Sequence, residues 1–290
     1  MSEDLLFFTI ASGQYRAFVP AYLFFSLNNH PGAYAEIWMD NPKRFLQNQK
    51  ESIGILNEAY PERIHIRPYK EKFEHFIDKG YHSKMPRILG KPDIKCTFTY
   101  MGDNDVMILD DDIVSHHRAL MQKHGNPYFS NRVIHNNKNE KMINCLGHFV
   151  KSDRWYPATA EVREKYRISE ATLRKRDQHI LYHLVEESIG NPWDLCHHRF
   201  NEHGFHTSPN RKPLGHPRAK SGWSIFYKVV NESFLERFRD EPESIKDYQR
   251  LVKKSLEWRE KLFRIMETDL WKALELTLPL AYWNRFLKRL

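Results

Sequence analysis

The chain has 290 residues, enough to bury one sizeable core, and its 41% hydrophobic and 13% aromatic content belongs to a folded globular protein, not a disordered one. No stretch of about 20 apolar residues occurs, which argues against a membrane span, and three scattered cysteines (Cys96, Cys145, Cys196) are too few for a disulfide framework and point to a reducing, cytoplasmic setting. The net charge of +8 admits a phosphate-bearing partner, but no nucleic-acid-binding motif accompanies it, so nucleic acid is not expected.

The N-terminus carries Glu3 and Asp4 where a targeting segment would carry Lys or Arg, so LLFFTIA (5–11) reads as a first strand that breaks at SGQ. Phe18, Tyr22 and Phe25 recur at helical spacing, with Pro20 tolerable only in a first turn. AEIWM (35–39) reads as a strand, residues 45–60 as a helix, and RIHIR (63–67) as a strand with period-two alternation. A helical stretch at 82–89 leads into CTFTYMG and then DVMILDDD. Strands alternating with helices predict an α/β fold with a mainly parallel sheet flanked by helices. In such sheets ligands bind beyond the carboxyl ends of strands.

After residue 150 the pattern turns helical, in WYPATAEVREKY and in ISEATLRKRDQHILYHLVEES. Residues 196–222 are rich in proline, glycine and histidine and read as loop, and 223–290 form a helical, charged and aromatic extension. The expected division is therefore a catalytic domain over 1–222 and a C-terminal extension over 223–290, packed on it or docking at a membrane surface. In PLAYWNRFLKRL, residues 279–290, Trp283, Phe286, Leu287 and Leu290 share one helical face beside Arg285, Lys288 and Arg289. That pattern suits either a helix packed on the body or one lying at the inner face of a membrane. The oligomeric state is not legible.

The triplet Asp110-Asp111-Asp112 follows the apolar run VMIL. Two readings stand side by side. Aspartates readily end strands in a solvated turn, and Asp110 and Asp112, one residue apart, suit a hard divalent cation with oxygen ligands. The earlier pair, Asp103 and Asp105, precedes the run and reads as a solvated turn. Cys196, His197, His198, His203 and His206 offer zinc-type donors, but only His203 and His206 give an H-x-x-H frame, so structural zinc is the weaker reading. Neither G-x-G-x-x-G nor a P-loop occurs.

An apolar strand followed by D-x-D in an α/β chain resembles the GT-A (Rossmann-like) glycosyltransferases, and most closely the retaining family 8 that includes glycogenin and the lipopolysaccharide galactosyl- and glucosyltransferases. Further segments resemble that family in its order: TIASGQY (9–15), Arg87 in KMPRIL, INCLGHFVKSDRWY (143–156) with Asn144 and Gly147, Asp177-Gln178 in RKRDQHILYHL, and His206 with Lys212-Pro213 in FHTSPNRKPLG. His179, Tyr182 and Pro209 depart from its motifs. The resemblance spans roughly residues 5–216. It implies a donor site in which Ala11, Ser12 and Tyr15 seat the base, Arg87 and Asp111 lie near the donor, and Asp177 and Gln178 orient the sugar. It also implies that Asp110, Asp112 and His206 hold Mn²⁺ or Mg²⁺, and that Lys212 neutralises the departing diphosphate. The expected partners are a nucleotide-sugar donor, UDP-linked, and a glycan or lipid-linked glycan acceptor, as in polysaccharide or lipopolysaccharide biosynthesis. A binding module with a transferase-like fold and a metal-dependent phosphohydrolase are the alternatives.

Overall fold

The computed structural model describes residues 4–69, 73, 84–135, 141–145, 147–168, 176–196, 203–206 and 246–278. Strand β1 (Leu5–Ala11) is the centre of the molecule, every residue buried. It precedes a 3-10 segment (Gly13–Phe18) and helix α1 (Val19–Asn29), whose Pro20 sits in the first turn as expected. Strand β2 (Tyr34–Met39) follows, then helices α2 (Pro42–Asn48) and α3 (Lys50–Ala59), then β3 (Ile64–Pro68). The single helix expected over 45–60 is thus two, broken at Gln49, whose φ of −116° and ψ of 25° leave the helical region. Helix α4 (Met85–Leu89) leads into β4 (Phe98–Gly102) and β5 (Val106–Ile108).

Next come α5 (Ile113–Lys123), β6 (Phe129–Ser130), β7 (Val133–His135), β8 (Lys141–Ile143) and β9 (Gly147–Lys151). Helices α6 (Ser152–Ala158), α7 (Ala160–Ile168), α8 (Asp177–Ser188) and α9 (Pro192–Leu195) precede β10 (Gly204–His206), α10 (Lys246–Met266) and α11 (Asp269–Glu275). The main sheet has six strands in the order β3-β2-β1-β4-β9-β6. Its first four strands run parallel, and β9 pairs antiparallel with both β4 and β6.

This mixed α/β architecture explains the unbroken apolar run in β1. Leu5, Phe7 and Ala11 join one core cluster, with α1, α3 and the C-terminal helices; Leu6, Phe8 and Ile10 join the other, with α4, α6 and α8. A strand covered on both faces needs no polar alternation. Thr9, the one polar residue of β1, is fully buried and donates its hydroxyl to the Gly102 carbonyl across the β1–β4 pair (2.7 Å).

The described part of the C-terminal extension packs on the body. Trp258, Leu262, Ile265, Trp271, Leu274 and Leu278 belong to the same cluster as Phe7, and the Trp271 ring lies 5.2 Å from Phe24 and 5.1 Å from Phe25. Residues 279–290 lie outside the described part. Among the described residues no helix is long and apolar enough to cross a membrane.

Candidate active site

In the order β3-β2-β1-β4, the connection from β1 goes to one side and the chain later returns to the other. The crevice beyond the carboxyl ends of β1 and β4 is therefore the topological switch point, where open parallel sheets bind ligands. It is lined by Ile10, Ser12 and Tyr15 from the β1 side and by Asp103, Asn104 and Asp105 from the β4 side, with Lys84 and Arg87 over them.

The three residues after β4 do not leave for solvent. Asp103 is 7% exposed, Asn104 4% and Asp105 3%, so the solvated turn read from the sequence is not what forms. Arg87, 2% exposed, explains how a carboxylate survives there. Its guanidinium donates to Asp103 Oδ1, to the Gly102 carbonyl (2.7 Å) and to Asp177 Oδ2 (3.3 Å). Lys84 Nζ reaches the other Asp103 oxygen at 3.0 Å. Burial alone would lower the pKa of both cations, but the carboxylates of Asp103 and Asp177 outweigh it and raise them. Asn104 donates to the Tyr15 carbonyl (2.8 Å), tying this turn to the 3-10 segment after β1.

Asp177 opens α8, and its Oδ1 accepts the backbone N–H of Gln178 (3.0 Å). A carboxylate in a first helical turn is electrostatically favoured. Here its second oxygen also meets Arg87, so the residue pair read from the sequence stands beside the crevice. Gly147, first in β9, pairs with Gly102 immediately before Asp103. Asn144 is buried, and its carbonyl accepts from Asn131 (2.8 Å). Ala11 is the last residue of β1 and is buried at the crevice root. Ser12, Tyr15, Arg87 and Asp177 thus converge, and Lys84, Asp103, Asn104 and Asp105 join them. The signal for the two acids lay in the sequence as D-x-D after an apolar strand, one strand earlier than the triplet.

The triplet is built differently. Asp110 is 7% exposed. Its Oδ1 accepts from Trp258 Nε1 (2.6 Å), and its Oδ2 meets His203 Nδ1 (2.7 Å) and Lys254 Nζ (2.7 Å). Burial opposes ionisation, but the His203 and Lys254 donors outweigh it and hold the carboxyl well below the usual range. Asp111 is exposed and pairs with Lys261 at 2.9 Å. Asp112 occupies the N-cap of α5, with no side-chain capping bond.

Of the expected grouping of Asp110, Asp112 and His206, the described side chains show Asp110 meeting His203 instead. Strand β10 runs antiparallel to β5 with Gly204 opposite Ile108, Phe205 opposite Met107 and His206 opposite Val106. His206 therefore pairs with Val106, four residues before Asp110 and the residue after Asp105, and the imidazole that meets Asp110 is His203. The H-x-x-H spacing carried that distinction, but sequence alone could not say which of the two rings turns to the triplet. The zinc reading also loses its donors. Both ring nitrogens of His203 are engaged, by Asp110 and by His117 (2.8 Å), and burial pushes the Cys196 thiol up to about 12. Among the described residues no three His, Cys, Asp or Glu side chains are placed to hold a metal ion. Lys212, His197 and His198 lie outside the described residues, as does the side chain of His206.

No protein-family model matches the chain, and no curated protein matches it. Among solved structures it is similar to an active-site mutant of LgtC at 12% identity and a TM-score of 0.44, covering 84% of this chain and 99% of that one. The galactosyltransferase LgtC in complex with donor and acceptor sugar analogs gives 14% identity and a TM-score of 0.40, covering 89% and 99%. The glycosyltransferase GlyE of Streptococcus pneumoniae TIGR4 gives 12% and 0.42, covering 94% of this chain and 62% of that one. At these values the functional reading rests on the chain's own residues.

Proposed function

We propose that the chain is a metal-dependent glycosyltransferase that moves a sugar from a nucleotide-sugar, a UDP-sugar, to a glycan or lipid-linked glycan acceptor, with retention at the anomeric carbon. The observation that carries this reading is the pair Asp103 and Asp105. They are two buried carboxylates one residue apart, at the switch-point crevice, faced by Ser12 and Tyr15 and bounded by Arg87, Lys84 and Asp177.

The chemistry of that donor set fits Mn²⁺ or Mg²⁺, which take one or two carboxylates plus phosphate oxygens. Protein donors already engage Asp110 (His203, Trp258, Lys254) and Asp103 (Arg87, Lys84) alike, so the choice rests on the crevice that Asp103 and Asp105 share with Ser12 and Tyr15. We therefore assign the cation to Asp103 and Asp105, with the backbone of His206 paired to the next residue, Val106. A bound cation would neutralise charge developing on the diphosphate leaving group. In this reading the Ala11–Tyr15 turn takes the base, with the Tyr15 ring available for stacking. Asp177 and Gln178 hold sugar hydroxyls, Arg87 and Lys84 fix Asp103, and Lys212 adds positive charge at the leaving group. A membrane-borne acceptor would be met with residues 279–290 at the membrane surface, which liposome retention of the full chain against one ending at 278 would test.

The deciding experiment measures UDP release from a panel of UDP-sugars with and without Mn²⁺, in the wild type, Asp105→Asn and Asp112→Asn. Cation-dependent release that Asp105→Asn abolishes and Asp112→Asn keeps is expected. Full release in Asp105→Asn would overturn the assignment. Faster phosphate release from simple esters than UDP release would favour a phosphohydrolase, and nucleotide-sugar binding without turnover would leave a binding module.

A further inference from the structure

The acid that the sequence offered as a cation ligand, Asp110, has a different place in the molecule. Its two oxygens gather groups from elements far apart in the chain: His203, just before β10, and Lys254 and Trp258 on α10. His203 is held to the same strand end twice over. Its ring meets the Asp110 carboxylate, and its carbonyl accepts the backbone N–H groups of Leu109 (2.8 Å) and Asp110 (3.2 Å). Its far nitrogen meets His117 Nε2 on α5 (2.8 Å), and His117 Nδ1 meets Ser130 Oγ on β6 (2.8 Å).

A carboxylate only accepts, so the His203 ring donates to Asp110 from Nδ1. The hydrogen-bonded chain from Asp110 through His203 and His117 to Ser130 is buried throughout.

The residue after His203 is Gly204, and a Cβ there would lie 1.7 Å from the Met107 carbonyl oxygen. Only glycine lets the two backbones approach so closely. Phe205 packs edge-on against the Trp258 ring at 5.6 Å, so α10 grips β10 directly as well as through Asp110. Strand β10 has three residues, too few for its ladder alone to define a register. A slip of one residue would turn each of its side chains to the opposite face.

We propose that Asp110 is a positioning residue, which with His203, Lys254 and Trp258 locks the register of β10 on β5 and so fixes the backbone of His206 opposite Val106, the residue after Asp105. The inference rests on the assignment of the cation to Asp103 and Asp105 for its functional consequence, while the lock itself is independent of that assignment. It makes helix α10, distant in sequence from either strand, a determinant of cation affinity.

The test uses Asp110→Asn and Trp258→Phe in the full chain, with Asp105→Asn as reference. Amide hydrogen exchange reads the lock, spin-resonance titration with Mn²⁺ alone reads cation binding, and UDP release reads turnover. In both lock variants, exchange at residues 204–206 should rise at least tenfold with the β1 and β4 amides unchanged. The Mn²⁺ half-saturation concentration should rise about tenfold in both, with kcat at saturating Mn²⁺ within threefold of wild type. Asp105→Asn should bind no Mn²⁺ at all. If Asp110 were instead a ligand, Asp110→Asn would lose Mn²⁺ binding while Trp258→Phe kept it, and the proposal would fall. Unchanged exchange at 204–206 would overturn the lock, whatever the activity. Raised exchange with unchanged Mn²⁺ affinity would overturn its link to the site. A wild type that neither binds Mn²⁺ nor turns over UDP-sugar would refute the cation assignment, and with it the functional link, while exchange still decides the lock.

Discussion

The exits of β4 and β5 look alike in sequence, each an apolar strand followed by aspartates one residue apart, and they are opposites in space. The β4 exit opens on the switch-point crevice between Tyr15 and Arg87. The β5 exit faces α10, whose Trp258 and Lys254 engage the Asp110 carboxylate and whose Lys253, Lys254 and Glu257 line a cavity with the triplet. Asp103 and Asp110 are buried to the same degree, 7% exposed. Burial therefore does not distinguish the two acids. What distinguishes them is the identity of the donors around each and the residues that share the adjoining cavity, Ser12 and Tyr15 at one and Lys253 and Glu257 at the other.

The largest expected effect is on the β4 side. Arg87→Met would leave Asp103, Asp177 and the Gly102 carbonyl without their shared buried donor. Breaking a buried charge pair by removing one partner costs about 3–5 kcal/mol, which should appear as a lowered urea midpoint. Trp258→Phe, which removes one donor of the several on Asp110, should cost about 1–3 kcal/mol. If the two losses came out in the reverse order, the β5 exit would be the more tightly built of the two.

Catalysis should separate the exits next. Asp105→Asn is expected to lower kcat/KM for UDP-sugar by at least about 10²–10³-fold, the scale of losing one preorganised electrostatic group. Asp112→Asn, at an N-cap without a side-chain capping bond, should stay within twofold. Steady-state UDP release measures both, and equal losses would erase the distinction.

Much of the fold was readable because β1 and β2 are apolar almost throughout, as strands covered on both faces must be. The alternation of strand and helix gave the parallel block. Gln49 hid the break between α2 and α3, because Phe45, Ile53 and Leu56 keep helical spacing across it and all are buried. The site was legible as residue types: Ser12, Tyr15, Arg87 and Asp177 do meet. Which aspartate pair lies beside Ser12 and Tyr15 was not, because Asp110 is drawn instead to Trp258 on α10, a contact between residues 148 positions apart. The same long-range packing decides that His203 turns to Asp110. Local spacing carries no information about it.

The exits should also part in their response to acid. His148, fully buried near Arg87, is held neutral, its pKa lowered to about 3 by burial and then by the Arg87 charge. An unfolded histidine titrates near 6.5. As pH falls below that, the unfolded chain takes a proton the native state refuses, so stability is complete above about pH 6.5 and declines towards pH 3. His30 and His116, on the β5 side and lowered to about 4 chiefly by burial, add to the same slope, so the upper window belongs to buried histidines on both sides and only the His148 share to the β4 side. Asp110 acts in a lower window: its contribution is complete above the unfolded carboxyl value, about 4, and is lost only as pH falls through and below it. Urea midpoints against pH should therefore flatten between about 6.5 and 4.5 in His148→Gln, by up to roughly 1.4 kcal/mol per pH unit. Asp110→Asn should keep that slope and change the curve only below about pH 4.5. A change in the upper window for Asp110→Asn would break the division.

The smallest effect sharpens the comparison most, because it lies inside the triplet itself. Asp111 stands between two aspartates with other fates, and its partner Lys261 lies on the same helix as Lys254. The Asp111 side chain is 73% exposed, against 7% for Asp110. Exposed pairs contribute about 0.2–1 kcal/mol and weaken with salt. A double-mutant cycle of Asp111→Asn and Lys261→Met should give a coupling below about 1 kcal/mol at low salt and nothing measurable at roughly 1 M, where the Debye length is about 3 Å. The corresponding cycle of Asp110→Asn with Lys254→Met should keep most of its coupling at the same salt, since its carboxylate is shielded by Trp258 and His203. Neighbouring, chemically identical side chains on the same helix-facing turn would then differ only in what water can reach, and a coupling that collapses equally in both cycles would place Asp110 in solvent reach and remove the basis for its role as a lock.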